Sequence, residues 1–120
     1  MESKRKLLCI DDEPINLLIM DKILGKKYGV FTARGGEEAL DILENTSEIE
    51  LVISDMHMPV MNGMEFIKEA RRRFSNKKYF ILSGYAKTEE IQAALDANII
   101  SEYFQKPANF QKIEQALEDS

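Results

Sequence analysis

Five side chains in this sequence have types and positions suited to chemistry: the carboxylates of Asp11, Asp12 and Asp55, the hydroxyl of Ser83 and the ammonium of Lys106. Each follows a short apolar run, at residues 7–10, 51–53, 79–82 and 103–104. If those runs are parallel strands of one sheet, the five groups collect on one edge, beyond the carboxyl ends of the strands, where open α/β folds bind ligands. Three carboxylates held that close cannot all stay ionised without a cation. Oxygen ligands on a partly hydrated site suit Mg²⁺, which keeps several waters and takes one or two carboxylates. One carboxylate could then attack a phosphoryl group whose charge Mg²⁺ neutralises, with Lys106 and Ser83 holding the transferred oxygens. A flavin or nucleotide phosphate is disfavoured after the first strand, because acids stand where a phosphate cradle has Gly, Ser or Thr backbone donors.

The elements that must position these groups are legible as alternating patterns. Residues 7–10 form a first buried strand, and Pro14 suits the first turn of the helix that follows. That helix shows Ile15, Leu18, Ile19 and Ile23 at helical spacing, with Leu17, Met20 and Leu24 beside them. Gly25 is an early candidate stop and Gly29 the firmer turn signal. Residues 30–33 make the second strand. Glu37 and Glu38 open a second helix, where the dipole favours negative charge, and residues 45–47 end it. The third strand ends on Asp55, and a loop punctuated by Pro59 and Gly63 leads to a helix over about residues 63–74. A fourth strand ends at Ser83, Thr88 caps a fourth helix with Ile91, Ala94 and Leu95 inward, and a short fifth strand ends at Lys106. Asn109 caps a last helix with Phe110, Ile113 and Leu117 inward. Strands that alternate with helices five times predict a doubly wound α/β fold, a five-stranded parallel sheet of flavodoxin-like order 2-1-3-4-5 with its switch point between strands 1 and 3. Residues 1–120 read as a single domain.

Composition narrows the function further. The formal net charge of −5 argues against direct nucleic-acid binding, which needs a basic face. A single cysteine, Cys9, rules out an internal disulfide and reads as a buried strand residue. No apolar run is long enough to span a membrane, so a cytoplasmic protein with no membrane partner is expected. The polar, basic start at residues 1–6 is expected to fray.

These residues carry a family resemblance. Asp11-Asp12, the run Asp55-Met56-His57-Met58-Pro59-Val60-Met61-Asn62-Gly63, Ser83-Gly84, Tyr103 and Lys106-Pro107 make the chain resemble a response-regulator receiver domain, the CheY-like family of bacterial two-component signalling. The likeness covers about residues 6–117. It implies Asp55 as phospho-acceptor, Asp11 and Asp12 as metal acids, and the backbone carbonyl of His57 as a further Mg²⁺ ligand beside Asp55. It implies Ser83 as the hydroxyl that bonds the phosphoryl group, Lys106 as its cationic partner and Tyr103 as the aromatic switch residue, turning inward on phosphorylation. His57 and Tyr85, two residues after the acceptor and after the hydroxyl, fall where the family modulates phosphoryl lifetime. The Lys106-Pro107 bond is expected to be cis. The implied partners are a sensor histidine kinase or phosphotransfer protein, and an output partner or fused output domain reached through helix 4, strand 5 and helix 5. A phosphorylation-dependent homodimer on that face is a further expectation. The chain is not expected to be an enzyme beyond its own phosphorylation and dephosphorylation.

Two rival functions fit the same chemistry. One is a Mg²⁺-dependent phosphohydrolase using an aspartyl-phosphate; such haloacid-dehalogenase-like enzymes place Asp-x-Asp after the first strand, whereas Asp11 and Asp12 are adjacent. The other is a phosphorylation-independent interaction module, which an incomplete acid set would favour. The run Arg71-Arg72-Arg73 with Lys77-Lys78 reads as a solvated helix end. The His57 side chain reads as an exposed loop group, since one imidazole makes no transition-metal site.

Overall fold

The structure, a computed structural model, describes residues 4–120. Its elements run β1 (Lys6–Ile10), α1 (Pro14–Leu24), β2 (Gly29–Ala33), α2 (Gly36–Asn45), β3 (Ile49–Asp55), α3 (Gly63–Arg73), β4 (Lys78–Ser83), α4 (Glu89–Asp96), β5 (Glu102–Gln105) and α5 (Phe110–Glu118). All strand pairs are parallel, in the order β2-β1-β3-β4-β5. The chain is therefore the doubly wound sheet that the alternation predicts, and the order reverses between β1 and β3.

Strand alternation splits the core into two layers. Leu7, Cys9, Leu51, Ile53 and Phe80 face α1 and α5, where Leu17, Leu24 and Ile113 cover them. Leu8, Ile10, Val52 and Ile81 face the other side, against Leu40, Leu43, Phe66 and Ile67 of α2 and α3 and Ile91 of α4. Each fully buried side chain of this size contributes about 1.5–3 kcal/mol. The central strands need apolar residues on both faces because helices cover both. That is why β1 and β3 read as unbroken apolar runs.

The helix starts follow the capping residues. Thr88 Oγ1 accepts the Ile91 N–H at 3.2 Å, and Asn109 Oδ1 accepts the Lys112 N–H at 3.2 Å. Asn62 and Glu65 close a reciprocal capping box, with bonds of 2.8 and 2.9 Å, at the start of α3. At the end of α4, Asn98 takes a left-handed conformation (φ 59°), and the Ile99 N–H returns to the Ala94 carbonyl at 2.8 Å.

Three expectations are corrected here. α1 buries Leu17, Met20 and Leu24, while Ile15, Leu18 and Ile19 stay exposed. Both sets have helical spacing, and only packing against the sheet selects between them. α1 stops at Gly25, the earlier of the two candidate stops. The polar start is tied down as far as it is described: Lys4 Nζ donates to the Gly25 carbonyl, Arg5 pairs with Glu50 and donates to the Leu117 carbonyl, and Lys6 opens β1. Residues 1–3 of the expected frayed segment lie outside the described residues.

Candidate functional site

The switch point brings Asp11, at the end of β1, beside Asp55, at the end of β3. Oxygens of Asp11, Asp12 and Asp55 all lie within 4.8 Å of one another. Asp11 is 2% exposed and Asp55 8% exposed, so both carboxylates are largely withdrawn from water. Lys106, on the loop after β5, reaches across β4 to them. Its Nζ lies 3.2 Å from Asp11 Oδ2 and 3.5 Å from Asp55 Oδ2. The Lys106-Pro107 bond is cis, as the resemblance implies.

The balance of charges is incomplete. Burial and the Asp11 carboxylate push the Asp55 pKa above its ordinary value, and Lys106 and the His57 backbone N–H only partly offset them. Burial works against the Lys106 ammonium, but Asp55 and Asp11 outweigh it and hold that pKa up. One ammonium thus faces three carboxylates. The donor set is all oxygen and carries negative charge in excess, which fits a hard divalent cation such as Mg²⁺.

The backbone beneath Asp55 is packed tightly. The Gly63 N–H donates to the Met56 carbonyl at 2.8 Å. A Cβ on Gly63 would lie 3.0 Å from both the Asp55 carbonyl carbon and the Met56 Cα. Glycine is therefore required where α3 starts against the end of β3. Between them, Val60 has φ 70°, and the Met61 N–H closes a three-residue turn onto the Pro59 carbonyl at 2.7 Å. A β-branched residue in that region is strained. Val60 is also 96% exposed, so nothing packs around it in compensation.

Ser83, at the end of β4, is buried, and its Oγ accepts the Tyr85 N–H at 3.2 Å. The His57 and Tyr85 rings meet edge to face with centroids 4.4 Å apart. These two residues, expected to modulate phosphoryl lifetime, therefore form one contact, with Tyr85 exposed and His57 an exposed loop group, as expected of its side chain. Tyr103, the expected switch residue, lies on β5. Its ring packs against the α4 side of the core, and its hydroxyl is buried with no partner among the described residues.

Sequence reasoning missed Asn16. From the first turn of α1, its Nδ2 donates to Asp11 Oδ2 at 3.2 Å, while the Glu13 N–H donates to Asp11 Oδ1 at 2.9 Å. The available signal was a polar residue one helical turn after the acid pair. The basic run divides. Arg72 and Arg73 pair with Glu69 at a solvated helix end, as expected. Lys77 is instead buried, with its Nζ 2.6 Å from the Ile49 carbonyl and 3.3 Å from the Ser47 carbonyl. Cys9 is fully buried, and burial together with the Asp21 charge pushes its thiol pKa far up, as suits an inert strand residue.

Among the described residues, no helix is long and apolar enough to cross a membrane. A family model described as response regulator receiver domain matches residues 7–118. The transcriptional regulatory protein GlrR of Escherichia coli is 30% identical over 115 residues, covering 95% of this chain and 26% of that protein. The chain thus spans about a quarter of that relative's length. A chemotaxis protein CheY homolog of Campylobacter jejuni is 30% identical over 118 residues, covering 95% of this chain and 90% of that one. Response regulator protein TrrA of Thermotoga maritima, solved in complex with Mg(2+)-BeF, superposes with a TM-score of 0.80 at 28% identity, covering 96% of this chain and 97% of that one.

Proposed function

We infer that this chain, which belongs to the response regulator receiver domain family, accepts a phosphoryl group on Asp55 from a phosphohistidine donor and passes the signal to an output partner. The observation that carries the reading is the cluster of Asp11, Asp12 and Asp55 with Lys106 bridging two of them. Mg²⁺ would be held by Asp11, Asp12, Asp55 and the backbone carbonyl of His57, and when bound it would neutralise charge on the phosphoryl oxygens. An Asp55 carboxylate oxygen attacks phosphorus in line with the leaving group, which departs with the bonding electron pair. Lys106 stands where it can pair with a transferred oxygen.

The switch follows from the same geometry. A phosphoryl group adds charge and strong acceptor oxygens. Ser83 would exchange its Tyr85 backbone contact for a bond to one of those oxygens, moving the β4–α4 loop. The readout face is α4, β5 and α5, where Tyr103 lies, and it would take an output partner, a fused output domain or a second copy. Phosphorylation selects between packings that already exist.

The chemistry is tested by mass spectrometry after treatment with acetyl phosphate. A single adduct requiring Mg²⁺ and lost in Asp55→Asn is expected. Full labelling of Asp55→Asn, or labelling indifferent to chelator, would overturn the assignment. Turnover of a separate phosphate ester would instead mark an enzyme.

A further inference from the structure

Three donors converge on the buried carboxylate of Asp11. The Glu13 N–H donates to Oδ1 at 2.9 Å. Asn16 Nδ2 and Lys106 Nζ both donate to Oδ2, each at 3.2 Å. A carboxylate offers about four acceptor sites, shared between its two oxygens. Oδ2 is therefore full, and its two donors differ in kind. Lys106 is an ammonium on a flexible four-carbon stem. Asn16 is neutral and sits in the first turn of α1, whose place is set by Pro14 at its start and by the buried Leu17 beside Asn16.

Lys106 is hydrogen-bonded to Asp11 and stands only at ion-pair distance, 3.5 Å, from Asp55. When Asp55 accepts a phosphoryl group, negative charge arrives beyond its carboxylate and draws the ammonium away from Asp11. Asp11 is 2% exposed, so water has little access to replace the departing donor. A buried charged acceptor left bare costs more than the net worth of the bond it has lost. Asn16, fixed on its helix, stays on Oδ2 and prevents that. We propose that Asn16 is a positioning residue for phosphoryl transfer: it holds Asp11 Oδ2 while Lys106 passes from Asp11 to the phosphoryl group. The role rests on the phospho-acceptor reading and adds to it a residue that acts through Asp11.

Asn16→Leu keeps the volume and removes the donor. In the unphosphorylated chain Lys106 still covers Oδ2, so the variant should fold and should bind Mg²⁺ as wild type does, read by calorimetric titration. With acetyl phosphate and saturating Mg²⁺, its maximal labelling rate should fall about tenfold with KM unchanged, the low end of the worth of a hydrogen bond to a charged group. Asn16→Asp has the same shape, but an ionised carboxylate cannot donate and its charge holds the ammonium back. It should label more slowly than Asn16→Leu while binding Mg²⁺ at least as tightly as wild type. A wild-type chain that takes no label overturns the acceptor reading and this role together. A labelled wild type matched in rate by Asn16→Leu overturns this role alone. So does a loss carried by KM, an Asn16→Asp chain faster than Asn16→Leu, or a Mg²⁺ affinity that falls in step with the rate, which would make Asn16 a support of the resting acid cluster only.

Discussion

Lys106 Nζ is shared between two carboxylates, 3.2 Å from Asp11 and 3.5 Å from Asp55, and lies nearer Asp11. Asp55 is therefore compensated only in part, and its pKa stays above the ordinary value of 3.8 because burial and Asp11 outweigh Lys106. A carboxyl whose pKa is raised in the folded chain binds its proton more tightly there than when unfolded. Stability then falls as pH rises from about the unfolded value through the raised one. In chelator at neutral pH, Asp55→Asn should melt above wild type. The gap should close as pH falls toward 3.8. Mg²⁺ should raise the melting temperature of wild type and do so less for Asp12→Ala. Thermal melts across pH, with and without Mg²⁺, check this. An Asp55→Asn variant less stable than wild type at neutral pH would sink the charge argument.

Asp11, Asp12, Asp55, Ser83 and Lys106 were legible because parallel strands place their carboxyl ends on one edge, whatever the side chains do. Topology was legible for the same reason: apolar runs alternating with amphipathic helices leave few arrangements. The buried face of α1 was not legible, since Ile15, Leu18 and Ile19 share the spacing of Leu17, Met20 and Leu24. Lys77 looked like the end of a basic run, yet it is withdrawn from solvent onto two carbonyls. Nothing local distinguishes it from Lys78; the distinction is made by the start of β3, some thirty residues earlier. Asn16 and the Val60 turn are also tertiary facts, set by the acid and the loop they serve.

Gly63 should tolerate no side chain. Its Cβ would meet the Asp55 and Met56 backbone rather than a flexible side chain, so the end of β3 or the start of α3 must move. Gly63→Ala should cost about 1–3 kcal/mol, the usual size of an overpacking penalty. Phosphorylation by acetyl phosphate should also slow, because Asp55 shifts with its backbone. Urea denaturation and a phosphorylation time course read the two effects; a variant with wild-type stability would show that the contact relaxes freely.

Lys77→Ala should destabilise by about 1–3 kcal/mol, because it strips the donor from the Ile49 carbonyl in a buried setting. Lys78 is exposed, and Lys78→Ala serves as the neutral control, expected within about 0.5 kcal/mol of wild type. Burial lowers the Lys77 pKa, so the folded chain gives up that proton more readily than the unfolded one. Its ammonium therefore weighs against folding at neutral pH, and the alanine variant measures whether the two carbonyl bonds outweigh that cost. Equal stabilities of Lys77→Ala and Lys78→Ala would mean that they do not.

Val60 can be relieved of its strain without touching the site. A three-residue turn with positive φ is hard on any residue that carries a Cβ, and at 96% exposure Val60 has almost no packing to lose. Val60→Gly should gain about 1 kcal/mol, or ~4 °C in melting temperature for a domain of this size, after the freedom it adds to the unfolded chain. Val60→Asn keeps a Cβ and should gain less. Val60→Ile, equally branched, should change nothing. Melts of the three variants order the effects, and a Val60→Gly protein no more stable than wild type would show that φ 70° carries no cost here.

The contact between His57 and Tyr85 bears on how long a signal would last. Dephosphorylation needs a water in line with the bond from Asp55 to phosphorus, and groups near that line orient or exclude it. The two rings sit edge to face at 4.4 Å, on the loops that follow Asp55 and Ser83. Neither supplies a carboxylate or amide to position an attacking water, and together they present bulk where the water must enter. The phosphorylated chain should therefore lose its phosphoryl group slowly, over minutes or longer rather than seconds. Replacing His57 by Asn and Tyr85 by Glu removes the ring contact and puts polar groups near the path. The lifetime should then shorten about tenfold, the size of a change of ~1.4 kcal/mol in the barrier. Tyr85→Ala separates the two causes, since it opens the path without supplying a polar group and should shorten the lifetime less than the double variant. Phosphate release from the purified phosphoprotein gives the rates. A wild-type lifetime of seconds, or a double variant no faster than wild type, would remove the shielding role from this pair.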